Sequence, residues 1–120
     1  MQREPDAIVK FRLESLTLDG KRKTVLSGYR PIYDIRPDYW TSTHHEFTSA
    51  TELSTGEETT AKVWFLTPEV YPKTLWIGRV LRVAEGSRQV GTATIEAVLN
   101  PVLQKEEEAD PDRQRTTRGM

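Results

Sequence analysis

Apolar and polar residues alternate with a period of two in short segments closed by turn residues, and this pattern leaves little room for anything but a β fold. Val9, Phe11 and Leu13 alternate with Lys10, Arg12 and Glu14, as in a strand with one buried face. Asp19-Gly20 marks a turn and Lys21-Arg22-Lys23 follows as a basic turn or strand start. Pro31, Tyr33 and Ile35 alternate with Ile32, Asp34 and Arg36 before Pro37-Asp38 ends that strand. Thr41 to Thr51 reads as a polar strand around Phe47, and Ser54-Thr55-Gly56-Glu57 as a turn. Ala61, Val63 and Phe65 lie opposite Lys62, Trp64 and Leu66, a strand covered on both sides, closed by Thr67-Pro68. Leu75 to Val83 is expected to form one long strand bent at Gly78. Glu85-Gly86-Ser87 reads as a tight hairpin, and Ala93, Ile95, Ala97 and Leu99 are expected to share one face of the last strand. About six strands with turn signals every dozen or so residues indicate an all-β barrel or sandwich rather than βαβ units.

The 120 residues suit one domain with a modest core. We expect the barrel over residues 1–101 and a disordered charged tail over residues 102–120. In that tail Glu106-Glu107-Glu108, Asp110 and Asp112 precede Arg113, Arg115 and Arg118, with too few apolar groups to offset chain entropy. The chain has no cysteine, which excludes disulfides and thiolate chemistry. No apolar run approaches the ~20 residues needed to span a membrane, and Met1 to Asp6 has no signal-peptide core. A cytoplasmic location without a membrane partner is therefore expected. The net charge of −1 lacks the basic excess of a strong non-specific nucleic-acid binder.

Two segments carry a resemblance. Ser27-Gly28-Tyr29-Arg30-Pro31 precedes one strand, and Glu85-Gly86-Ser87-Arg88-Gln89-Val90-Gly91 leads into Thr92 to Leu99. At this spacing, from Asp6 to Leu99, the chain resembles the C-terminal β-barrel, the third domain, of translation elongation factor Tu. That resemblance implies an all-β, six-stranded antiparallel closed barrel. It also implies a stand-alone binding module from a GTPase family. The nucleotide-binding signature of such GTPases is not in this sequence. Gly20-Lys21 is the sole Gly-Lys pair, with Ser15 where a P-loop needs its first Gly and Arg22 where it needs Ser or Thr. No enzyme activity, cofactor, metal or nucleotide is therefore expected.

The resemblance also points to binding residues. In the family, the Glu-Gly of the last hairpin touches the tRNA T-stem backbone, and Glu85, Gly86 and Arg88 match it. Ala84 and Ser87 depart from the motif. Lys21, Arg22 and Lys23 occupy a turn that lies near tRNA in the family. With Arg30 and Arg88 they would form a phosphate-facing patch. Ile32, however, stands where the family carries a Gln that reaches RNA, and the charge is near neutral. A protein partner from the translation machinery is thus favoured, with the barrel as decoy, adaptor or inhibitor. Binding of a tRNA T-arm or another RNA stem is the alternative. His44-His45 should point to opposite faces of a strand and cannot chelate one ion together. Trp40, Trp64 and Trp76 read as core or rim packing.

Overall fold

A computed structural model describes residues 3–106. Among the described residues there are eight strands: β1 Ala7–Leu13, β2 Thr24–Leu26, β3 Ile32–Arg36, β4 Tyr39–Phe47, β5 Glu52–Ser54, β6 Glu58–Phe65, β7 Val80–Glu85 and β8 Arg88–Val98. Six of them close an antiparallel barrel in the order β1-β6-β4-β3-β7-β8, and β2 pairs with β5 in a separate ribbon. The all-β closed barrel expected from the sequence is therefore the architecture observed. Among the described residues no helix is long and apolar enough to cross a membrane.

Alternation explains the interior. Val9, Phe11, Leu13, Tyr33, Ile35, Val63, Phe65, Leu81, Val83, Ala93 and Ile95 are all buried. The polar strand β4 also points every second residue inward, and each inward polar side chain makes at least one hydrogen bond. Thr41 Oγ1 lies 2.6 Å from Tyr71 Oη, Thr43 Oγ1 donates to Pro31 O at 2.7 Å, and His45 Nε2 lies 2.7 Å from Tyr33 Oη. The ribbon supplies Val25 and Leu53 to the core at one end of the barrel. Tyr71, Leu75 and Leu103 supply it at the other.

The Gly28-Tyr29-Arg30-Pro31 segment acts as an extension of β3 along β4. Gly28 N–H donates to His45 O, His45 N–H to Tyr29 O, and Thr43 N–H to Pro31 O. Gly28 takes φ 99°, which a side chain would resist. At the opposite end Asp6 clasps the barrel seam. Its carboxylate accepts Phe65 N–H at 2.7 Å, Arg3 Nη1 at 2.7 Å and Asn100 Nδ2 at 2.9 Å, while its carbonyl accepts the amides of Leu99 and Asn100.

Three expectations need correction. The stretch Leu75–Val83 is not one strand: β7 begins at Val80. Gly78 at φ 95° turns the chain inside a Trp76–Arg79 turn closed by Arg79 N–H to Trp76 O, so the apolar run serves a turn and a strand in succession. The face of β8 also changes. Opposite Ile8 and Val9 the pairing on β8 jumps from Ala97 to Ile95, a bulge at Glu96, so Ala93 and Ile95 are buried while Leu99 is 47% exposed and Val98 packs on the core instead. Finally, the barrel does not stop at residue 101. Leu103 is fully buried, and Lys73 and Leu75 donate amides to Val102 and Leu103, with Lys105 N–H returning to Leu75 O. Residues 102–106 thus belong to the fold. Residues 107–120 of the expected tail lie outside the described residues.

Candidate interaction surface

Most of the singled-out residues meet at the ribbon end of the barrel. The β7–β8 hairpin turns at Gly86, whose φ of 58° fits the left-handed region such tight turns use, and Glu85 faces Arg88 across it. Glu85 is the hub. Tyr29 Oη donates to its Oε2, and Lys23 Nζ lies 3.1 Å from its Oε1. Partial burial pushes the Glu85 carboxyl up, but the hydrogen bonds from Tyr29 and Lys23 and the charges of Lys23 and Arg88 outweigh it and hold it below its ordinary value. The same contact, with burial as the larger cause, pushes the Tyr29 phenol well up.

The basic turn is held by its backbone as much as by charge. Lys23 N–H donates to Thr55 Oγ1 at 2.8 Å, Thr55 N–H donates to Lys23 O at 2.9 Å, and Thr55 Oγ1 donates to Ser15 O at 2.7 Å. This ties β2 to β5 and to the end of β1. Arg22 bridges to Leu16 and its Nη2 reaches Glu57 Oε2 at 3.3 Å. Lys21 Nζ lies 3.9 Å from Asp19 Oδ2. Arg88 Nη2 donates to Leu16 O. Every cation of the turn and hairpin is thus matched by a carboxylate or a carbonyl. Beside them Glu52, Glu57 and Glu58 line an open acidic depression.

Arg30 does not join this group. Its neighbours are Arg3, Ser42, His44 and Trp64, around a groove on the outer wall of the barrel, so the five-residue basic patch expected from the sequence is split. The histidines behave as their adjacency requires. His45 is fully buried and boxed by Phe11, Tyr33 and Phe47, whereas His44 faces outward against Trp64 and Glu46. Trp64 is buried and donates Nε1–H to Arg3 O at 2.8 Å. Trp40 lies under Arg82, and Trp76 under Arg79 and Lys105, each about two-fifths exposed. They are rim residues away from the basic turn.

Sequence reasoning overlooked the apolar rim of this end. Leu16, Leu18 and Leu26 are exposed, Leu18 to 92%. A leucine inside the turn Thr17-Leu18-Asp19-Gly20 was itself a signal, since a turn residue gains nothing from an apolar side chain unless something covers it. No protein-family model and no curated protein matches this chain. The fold and surface define a closed antiparallel β-barrel with a charge-balanced, leucine-rimmed end.

Proposed function

We propose that the chain is a non-catalytic binding module, resembling the C-terminal barrel of elongation factor Tu, that engages a protein partner of the translation machinery through its ribbon end. One observation carries the choice of protein over RNA. Lys21, Arg22, Lys23 and Arg88 all have internal partners, and phosphate binding would have to break these pairs to gain its own. Paired charges beside exposed leucines are instead the mixture found at protein interfaces. Three partner types fit the resemblance: the GTPase domain of such a factor, its exchange factor, or a toxin that docks on this barrel.

The test is titration of the purified chain with a purified elongation-factor GTPase domain and its exchange factor, and separately with aminoacylated and deacylated tRNA at two salt concentrations. The expected result is binding to one protein that Leu18→Asp weakens at least about tenfold, with tRNA binding absent at low salt. Salt-sensitive tRNA binding abolished by neutralising Lys21, Arg22 and Lys23 would overturn the reading in favour of RNA.

A further inference from the structure

Arg30 is the one singled-out cation that the ribbon end leaves unused, and its surroundings have the makings of a second site. The groove it lines runs across the outer faces of the β3 extension, β4 and β6. His44 and Trp64 are paired neighbours across β4 and β6, with ring centroids 5.6 Å apart, and form its floor. Arg3 stands over Trp64, fixed by Nη1 to Asp6 and Nη2 to Phe65 O, both at 2.7 Å, and its side chain keeps 44% exposure. Ser42 adds a hydroxyl, and Leu66, 70% exposed, an apolar wall.

Three features set the ligand chemistry. The first is size. The groove holds about 170 Å³, room for roughly five or six waters at ~30 Å³ each. That is side-chain size and well short of the ~300–1,000 Å³ of small-molecule and cofactor sites. The second is charge. Arg3 is matched by Asp6, but among the described residues Arg30 is exposed and has neither an ion-pair nor a hydrogen-bond partner. One uncompensated guanidinium suits a monoanion better than a phosphate dianion, and its planar fork suits a carboxylate. The third is polarity without a partner. His44 Nδ1 is buried and makes no hydrogen bond in a wall that otherwise satisfies its polar groups.

We propose that this groove is a subsite for the carboxylate side chain of an acidic peptide segment, held by the Arg30 guanidinium with its methylenes against Trp64 and Leu66. The proposal deepens the protein-partner reading and depends on it for biological meaning, but it involves none of the ribbon-end residues.

The experiment uses the full ¹⁵N-labelled chain and follows the Trp64 indole N–H signal, assigned with Trp64→Phe. The probes are acetyl-Ala-Glu-Ala-amide, its Gln counterpart, and inorganic phosphate. The expected result is a saturable shift with the Glu peptide in the millimolar range, as befits one side chain. Affinity should fall about tenfold for the Gln peptide and for Arg30→Ala, recover in part in Arg30→Lys, and remain unchanged in Lys10→Ala, whose side chain among the described residues pairs only with Glu96. An absent Trp64 shift, an Arg30→Ala affinity equal to that of the wild type, or phosphate binding as tightly as the Glu peptide would each overturn the assignment. Because Arg30 is exposed and unpartnered, its substitution leaves the fold available for the test. Peptide binding in the groove together with no loss of partner binding in Leu18→Asp would sink the ribbon-end reading and leave the groove standing. The converse pattern would sink the groove alone.

Discussion

His45 shows how one residue can be both readable and unreadable. Its adjacency to His44 predicts opposite faces, and the two do diverge, one into the core and one onto the outer wall. What adjacency cannot show is the environment: an aromatic box with one hydrogen bond, to Tyr33, and an Nδ1 without a partner. Burial, with His44 as a smaller cause, holds the His45 imidazole down to about 3. A base whose folded value lies below its unfolded one, ordinarily near 6.5, stabilises the fold fully above the unfolded value. It loses that stabilisation as pH falls from about 6.5 towards 3, where the unfolded chain binds the extra proton. Between pH 7 and pH 5, above most carboxylate titration, the wild type should lose about 2 kcal/mol of unfolding free energy through this group. Urea titrations at the two pH values check this. His45→Gln, which keeps an acceptor for Tyr33, should start less stable and lose far less over the same interval. An equal loss in both proteins would assign the acid sensitivity elsewhere. The candidate interaction residues divide in the same way. Glu85, Gly86, Arg88 and the basic turn could be picked out because motif and charge lie in short local runs. The Tyr29–Glu85 and Lys23–Glu85 contacts could not, because they join residues far apart in sequence across the barrel end.

At the scale of the element, β8 carries the most physical information. Its motif residue Gly91 pairs with Leu13 of β1 where the two backbones come very close. A Cβ placed on Gly91 would stand 2.0 Å from Arg12 O and 3.1 Å from Arg12 C. These are backbone atoms, so no rotamer change relieves the clash and the strands would have to part. Gly91→Ala should therefore cost about 3 kcal/mol or more. Gly20→Ala, in open space but at φ 81°, should cost only the ~1 kcal/mol of a left-handed backbone position. Chemical denaturation of the two variants ranks them, and the reverse order would mean that the β1–β8 contact is loose. The strands read from alternation survive in the structure because period-2 burial is local. The misreadings, β7 starting too early and Ala97 with Leu99 assigned to the inner face, fall where Gly78 turns the chain and where a bulge at Glu96 of β8, opposite Ile8 and Val9, resets the register. An apolar run has the same composition in a strand as in an exposed turn, and a bulge without a glycine leaves no mark on the alternation of the strand that carries it. The fold's continuation to Leu103 was hidden for a related reason: one buried leucine beside a charged stretch reads as solvent-exposed until its backbone partner Leu75 is seen.

For the whole molecule the decisive fact is that β1 pairs with β6 on one edge and with β8 on the other. Closure therefore needs residues near both limits of the described chain, down to Ala7 against Val98, and Asp6 fastens that join from β1 to Phe65 and Asn100. Contacts of such long sequence separation put the fold among the slower topologies, with folding in milliseconds to seconds. Amide exchange should show it thermodynamically. The β1 amides of Val9 and Phe11 should open only with global unfolding, while the two-stranded ribbon β2–β5, paired over three residues, should exchange through local opening at lower cost. Ribbon amides as protected as those of β1 would argue that the barrel end unfolds only with the rest. A chain emerging residue by residue can pair β1 with β6 on one edge but must hold its other edge bare until β8 arrives. During that interval the β8 of a neighbouring chain offers the same register as its own. Crowded synthesis thus gives this barrel a route to strand-exchanged pairs, joined at the seam that Asp6 later locks.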